Sequence, residues 1–218
     1  MRQRHHSLFS LIVFLMLVTS SWANEPMRVV FLGDSLTAGY SLDANQAYPA
    51  LIQEKIDERN WPFRVVNSGI SGDTTAGGLR RLDWLMRQPV SVLVIALGAN
   101  DGLRGFNPDV TYQNLAEIVD RAHERYPDVV ILLAGMKMPA NMGESYALRF
   151  QQIYESLAAT ANLAFMPFLL EDIAGIPELN LPDGIHPNAT GQKRLADNVW
   201  KHLEPLLQEL LDRTRTVP

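Results

Sequence analysis

A serine near the start of the chain occupies a position suited to nucleophilic catalysis. Ser35 follows Gly33 and Asp34, where an apolar run ends and helical spacing begins. A hydroxyl at that point is exposed, and its own backbone N–H faces incoming negative charge at the positive end of the helix dipole. Serine is also a common helix cap, so Ser35 taken alone leaves both interpretations open.

A histidine near the end of the chain could activate that serine. His186 lies three positions after Asp183, in a turn-like segment before the last helical stretch. One loop can then hold the carboxylate against one imidazole nitrogen while the other nitrogen faces the serine. The alternative is a solvated histidine on a surface turn. We expect His123 and His202 to face solvent, because they lie in polar or charged helical stretches.

Two further residues could stabilise the negative charge that develops on a carbonyl oxygen during acyl transfer. Gly72 can offer a backbone N–H with no side chain in the way, and Asn100 can donate from its amide. With the N–H of Ser35 they would form an oxyanion hole, in which loss of one donor typically costs about 10²–10³ in turnover. Glycine and asparagine after a strand are usually turn residues, so the case depends on the combination.

The elements that must position these residues are visible in the hydrophobic pattern. Apolar runs rich in β-branched residues predict five strands, at Met27–Leu32, Arg64–Asn67, Ser91–Leu97, Val129–Ala134 and Ala164–Met166. Apolar residues spaced by three and four predict helices between and after these strands. The residues expected to face the core from these helices are Tyr48, Leu51, Ile52, Ile56, Leu79, Leu82, Met86, Tyr112, Leu115, Val119, Ala122, Phe150, Ile153, Tyr154, Leu157, Leu195, Val199, Leu203, Leu206 and Leu210. The alternation predicts one α/β domain, with a parallel sheet and helices on both faces.

Four polar, glycine-rich segments hold the candidate residues. Three follow the first three strands and one precedes the last helix: Gly33–Gly39, Ser68–Gly78, Gly98–Gly105 and Leu181–Asn188. Ligands of open parallel sheets bind outside the carboxyl ends of the strands. We therefore expect all four segments to converge on one edge of the sheet.

The composition excludes several kinds of site and partner. The chain of 218 residues has no cysteine, which removes thiol nucleophiles, zinc–thiolate sites, iron–sulfur clusters and disulfides. No histidine–carboxylate grouping beyond Asp183 and His186 has zinc-ligand spacing, and no P-loop occurs, so we expect no metal and no cofactor. The net charge of −5 argues against binding of nucleic acid or of anionic membranes.

The first 23 residues have the features of an export signal. A basic start with Arg2 and Arg4 precedes the apolar run Leu8–Val18, and Ser21-Trp22-Ala23 offers small residues for a signal peptidase. The run is too short for a spanning helix, which needs about 20 residues. Removal of residues 1–23 makes the net charge −7. We expect residues 24–218 to form a single exported domain, monomeric, without a stable membrane anchor, in the periplasm or secreted.

Four blocks in the chain resemble, in order, those of the SGNH or GDSL serine hydrolases. They are GDSLTAGY (Gly33–Tyr40), NSGISGDT (Asn67–Thr74), LGAND (Leu97–Asp101) and DGIHPN (Asp183–Asn188). The wider stretch GANDGLRG and the segment Pro139–Gly143 are similar to a bacterial secreted subgroup described as thioesterase, protease and lysophospholipase, also called arylesterases. The resemblance covers essentially the whole chain after the export signal, with no departure in the four blocks.

The resemblance implies a fold, a site and an activity. It implies Ser35 as the nucleophile, with His186 as general base and Asp183 as its partner. Gly72 and Asn100 would join the Ser35 amide in the oxyanion hole. The implied fold is a flavodoxin-like three-layer α/β/α sandwich, with five parallel strands in the order 2-1-3-4-5. The implied substrates are small or lipid esters and thioesters, including aryl esters and lysophospholipids.

Two alternative functions and the location of an acyl-binding groove stay open at this point. A non-catalytic periplasmic binding protein would need two lobes, for which the chain is short. An O-deacetylase of polysaccharide or cell-wall sugars, or an acyltransferase, would keep the same serine chemistry, although the four loops hold few aromatic residues for stacking on a sugar. An acyl group needs an apolar groove, which Leu103, Phe106, Met136 and Met138 could line, with core packing as the alternative.

Overall fold

The chain forms an open parallel sheet, described for residues 25–216 by a computed structural model. Within these residues five strands run in the spatial order β2-β1-β3-β4-β5. Their bounds are Met27–Gly33 (β1), Phe63–Gly69 (β2), Val92–Ala96 (β3), Val130–Ala134 (β4) and Ala164–Met166 (β5). The expected parallel sheet and its strand order are confirmed, and predicted and observed strand ends differ by at most two residues.

Seven α-helices connect and follow the strands within the described residues. Their bounds are Ser35–Ala38 (α1), Tyr48–Glu58 (α2), Thr75–Leu85 (α3), Ala99–Leu103 (α4), Pro108–Arg125 (α5), Glu144–Thr160 (α6) and Ala189–Thr216 (α7). Helix α2 packs against α7, whereas α3 packs against α5 and α5 against α6. One outer layer of the expected α/β/α sandwich thus contains α2 and α7, and the other contains α3, α5 and α6. Between the two layers, β3 is buried along its whole length.

The register of the strands explains why the polar loops meet. Gly33, the last residue of β1, pairs with Gly69 of β2 and with Ala96 of β3. These three strands therefore end at the same level, and the loops that follow them open at one edge of the sheet.

The last helix differs in detail from its predicted core-facing stripe. Leu207 and Leu211 are buried, whereas the predicted Leu206 and Leu210 are half-buried. Either pair of leucines continues from Leu203 at a spacing of three or four, so periodicity alone could not decide which pair lies closest to the core.

Two histidines also differ from expectation. His123 on α5 and His202 on α7 are half-buried rather than fully exposed to solvent. Burial lowers the pKa of His202.

The expected export signal, residues 1–23, lies outside the described residues. In residues 25–216 no helix combines the length and the apolar character that a bilayer crossing needs.

Candidate active site

Ser35, His186 and Asp183 form a continuous chain of hydrogen bonds. The Nε2 atom of His186 lies 2.9 Å from the Oγ of Ser35, and its Nδ1 lies 2.7 Å from Oδ2 of Asp183. When Nδ1 carries the proton, the imidazole donates to the carboxylate and Nε2 is free to accept the serine proton. The three residues are thus brought together in the order that a general base and its orienting acid require.

The turn that carries Asp183 also orients its carboxylate. Oδ1 accepts from the backbone N–H of His186 at 3.0 Å and from that of Ile185 at 2.9 Å. These hydrogen bonds, above all the one from the His186 N–H, lower the pKa of Asp183 to about 2. The carboxylate is therefore negative throughout the neutral range and faces the Nδ1 of the imidazole.

Ser35 is not the cap of its helix. Asp34 takes that role, because its Oδ1 accepts from the N–H of Leu36 at 3.0 Å. Ser35 occupies the first position of α1, and its hydroxyl is directed at His186 instead. The N–H at this position has no acceptor within the helix, so it remains available to an oxygen placed beside the hydroxyl.

Gly72 lies in an exposed turn after β2. Its φ of 78° is in the left-handed region, which glycine adopts without strain. Among residues 25–216 its N–H has no hydrogen-bond acceptor. Its carbonyl accepts from Nη2 of Arg104 at 3.0 Å, which helps to hold the turn.

Asn100 is more heavily engaged than its sequence suggests. Its Nδ2 donates to the carbonyl of Asp73 at 2.9 Å and to Oδ2 of Asp34 at 3.3 Å. Both amide hydrogens therefore have partners within the protein. The bond to Asp34 is the longer one, so the hydrogen on that side is the one that a substrate oxygen can share most easily.

Arg81 ties the same loops together. Its Nε donates to Oδ2 of Asp73 at 2.7 Å, and its Nη2 donates to the carbonyl of Gly33 at 2.9 Å. Because Asn100 also donates to Asp73, the loops after β1, β2 and β3 are joined by one network. The relative placement of the candidate oxyanion donors is thus fixed by contacts behind them.

Asp34 is a fully buried carboxyl group next to the nucleophile. Desolvation by burial raises its pKa from 3.8 to about 6, although the Leu36 N–H and the nearby His186 oppose that shift. The folded protein therefore holds this proton more tightly than the unfolded chain does.

The free energy of unfolding is expected to fall as the pH rises from about 4 to about 6, by on the order of 3 kcal/mol from Asp34 alone. The reason is that ionised Asp34 is less favourable in the folded protein than in the unfolded chain. Asp34→Asn removes this titration and should flatten that part of the profile. Urea unfolding of both proteins at about pH 4 and about pH 7 measures the difference. If the free energy of unfolding of Asp34→Asn falls by the same amount between these pH values, the pH dependence comes from groups other than Asp34.

The titratable side chains of the site are engaged with one another and with the backbone. Among residues 25–216, no group of three or more histidine, aspartate and glutamate side chains is arranged to hold a metal ion. The carboxylate oxygens of Asp183 and the ring nitrogens of His186 already have protein partners.

A mainly apolar cleft of about 470 Å³ opens beside Ser35 and His186. Of the four residues expected in an acyl groove, Leu103, Met136 and Met138 line this cleft. Phe106 does not line it; its side chain is exposed elsewhere on the segment after α4. The other apolar walls come largely from Leu36, Pro139, Phe168, Leu170 and Ile185.

Gln192, a residue to which the sequence pattern gives no role, connects the segment of His186 with the segment of Ser35. Its Oε1 accepts from the N–H of Tyr48 at 2.8 Å, and its Nε2 donates to the carbonyl of Leu36 at 3.3 Å. The helix that follows His186 is thereby fastened to the helix that carries Ser35. No local pattern marks this glutamine, because its importance comes from partners far away in the sequence.

Comparison with known proteins agrees with this geometry. Residues 31–194, which span Ser35 and His186, match the GDSL-like Lipase/Acylhydrolase family. The chain is a member of that family. "Esterase TesA" of Pseudomonas aeruginosa is 42% identical over 194 residues, covering 88% of this chain and 94% of that protein. "Thioesterase 1/protease 1/lysophospholipase L1" of Escherichia coli K12 is 41% identical over 199 residues, covering 89% and 91%.

A solved structure of the family also superposes on the chain. The crystal structure of TesA gives a TM-score of 0.79 at 41% sequence identity, covering 83% of this chain and 99% of that one. The SGNH fold expected from the four sequence blocks is thereby confirmed.

Proposed function

We propose that this chain is a serine hydrolase that cleaves carboxylic ester and thioester bonds through an acyl-enzyme intermediate. The observation that carries the proposal is the hydrogen-bonded chain from Ser35 through His186 to Asp183, with distances of 2.9 and 2.7 Å. Family membership and the names of two relatives, an esterase and a thioesterase, support it.

Acylation begins when the Ser35 Oγ attacks the substrate carbonyl carbon and His186 Nε2 takes the hydroxyl proton. The negative charge moves onto the carbonyl oxygen, where the N–H groups of Ser35 and Gly72 and the amide of Asn100 stabilise it. The bond to the leaving oxygen or sulfur then breaks, and the leaving atom takes the proton from His186.

Deacylation repeats these steps with water as the nucleophile. His186 removes a proton from a water molecule, and the resulting hydroxide attacks the acyl carbon. The Ser35 Oγ leaves with the proton that His186 returns, which releases the carboxylic acid. Asp183 stays ionised throughout and stabilises the imidazolium of His186.

The cleft beside Ser35 is the proposed site of the acyl chain. For a series of p-nitrophenyl esters from acetate to decanoate, kcat/KM is expected to rise by up to about fourfold for each added methylene until the cleft is full. Leu103→Asn should flatten this rise, whereas Leu148→Asn, at another exposed leucine on α6 outside the cleft, should leave it unchanged. Equal rates for all chain lengths would contradict the acyl cleft, and hydrolysis of none would refute the proposed function.

Asn100→Ala is expected to lower kcat by about 10²–10³-fold with little change in KM, because the donor acts mainly on the developing oxyanion. The carbonyl of Asp73 also loses its donor, so the free energy of unfolding should fall by about 1–3 kcal/mol. Steady-state kinetics and urea unfolding measure both effects. A rise in KM at unchanged kcat would show that Asn100 stabilises the bound substrate and the transition state equally, which would contradict its role as an oxyanion donor.

Export of the protein is also a proposal, based on residues 1–23. When the full chain is expressed in a Gram-negative host, the mature protein is expected in the periplasm or medium, beginning at Asn24. N-terminal sequencing of that fraction checks the prediction. An intact N-terminus on membrane-bound protein would indicate an uncleaved anchor.

A further inference from the structure

Tyr40 is held next to the nucleophile by the turn that ends α1. Gly39 has a φ of 76°, and the N–H of Tyr40 donates to the carbonyl of Ser35 at 3.1 Å. The backbone that carries this aromatic ring is therefore fastened to the residue that carries the nucleophilic hydroxyl.

The ring of Tyr40 packs against the imidazole of His186. The two ring centroids are 4.4 Å apart, with an angle of 33° between the ring planes. Tyr40 is nevertheless 44% exposed. Nearly half of the residue's surface thus faces solvent beside the group that delivers a proton to the leaving atom.

The geometry of the tetrahedral intermediate assigns a place to each substituent. The oxyanion faces the N–H donors, and the acyl chain lies in the apolar cleft. The leaving atom must then lie near Nε2 of His186, from which it takes its proton. Tyr40 does not line the acyl cleft, yet its ring contacts His186, so it lies beside the imidazole at a place that the acyl chain does not occupy.

We propose that Tyr40 forms a leaving-group subsite that favours aromatic alcohols. The aryl group of a phenyl ester stacks on the exposed tyrosine ring, as aromatic pairs do at centroid separations of about 4.5–7 Å. When the bond between the acyl carbon and the ester oxygen breaks, the electron pair stays on the oxygen of the departing phenol, which takes the proton from His186. The inference rests on the proposed function and adds the leaving-group side of the substrate to it.

The test compares two acetate esters that share their acyl group, phenyl acetate and 2,2,2-trifluoroethyl acetate, with kcat/KM measured by pH-stat titration. Tyr40→Leu is expected to lower kcat/KM for phenyl acetate by roughly three- to tenfold, the range typical of one aromatic pair. The fluoroalkyl ester should change by less than about twofold, because it has no ring to stack. Tyr40→Phe keeps the ring and should retain the preference of the parent protein.

The control and the contrary results separate this inference from the proposed function. Trp84→Leu removes another exposed aromatic ring, away from Ser35 and His186, and should change neither ester. An equal loss on both esters in Tyr40→Leu would show that Tyr40 only positions His186, and no loss on either would show that the ring contributes nothing. Both outcomes overturn the subsite while the hydrolase stands. A parent protein that cleaves neither ester overturns the hydrolase and the subsite together.

Discussion

Replacing Ser35 with alanine is expected to lower kcat for a short-chain ester by on the order of 10⁶-fold, the scale of loss when a serine hydrolase is deprived of its nucleophile. The methyl group of alanine cannot attack the carbonyl carbon, and His186 then has no hydroxyl to deprotonate. Stability should change little, because Asp34 rather than Ser35 caps α1 and alanine is a good helix former.

Ser156→Ala is the matched control for this variant. It makes the same substitution at an exposed position on α6 and should retain full activity. Hydrolysis of p-nitrophenyl butyrate and thermal unfolding of the three proteins provide the readout. If Ser35→Ala keeps more than about a thousandth of the parent activity, Ser35 is not the nucleophile.

Asp183→Asn is expected to lower kcat by about 10⁴-fold with the fold intact. The asparagine can still accept the N–H groups of Ile185 and His186 through its oxygen. Its amide would then face Nδ1 of His186 and donate to it, which moves the ring proton to Nε2. In that tautomer the imidazole cannot accept the proton of Ser35.

Asp172→Asn provides the comparison for Asp183→Asn. Asp172 is exposed and has a φ of 57°, a conformation that asparagine tolerates well. The kcat of the Asp172→Asn variant should equal that of the parent protein. Loss of less than about tenfold in Asp183→Asn would show that the carboxylate does not control the tautomer of His186.

The fold could be predicted from the sequence because two independent patterns agree. Apolar runs such as the one containing β3 mark strands buried on both faces, and spacings of three and four mark the helices between them. At the end of α7 the predicted Leu206 is less buried than Leu207, and both leucines satisfy the helical spacing from Leu203. Which of them faces the sheet depends on packing partners that a single sequence does not reveal.

The members of the candidate site were also visible in the sequence, because each lies in a short polar segment beside a predicted strand or helix. The hydrogen bonds that connect these residues could not be predicted from the sequence. Asn100 engages Asp73 and Asp34, and Gln192 fastens α7 to α1, through contacts between segments far apart in the chain. The raised pKa of Asp34 likewise depends on burial by neighbouring loops, which composition and spacing do not determine.

The proposed catalysis requires that one hydroxyl, one imidazole–carboxylate pair and three N–H donors surround a single reacting carbon. A crystal structure of the protein inactivated by an alkyl p-nitrophenyl phosphonate tests it most directly, because the phosphorus takes the place of that carbon. We expect phosphorus bonded to the Oγ of Ser35, and its oxygen within about 3 Å of the N–H groups of Ser35 and Gly72 and of the Asn100 amide. Phosphorus on another residue, or an oxygen directed away from these donors, would contradict the proposed nucleophile and oxyanion hole.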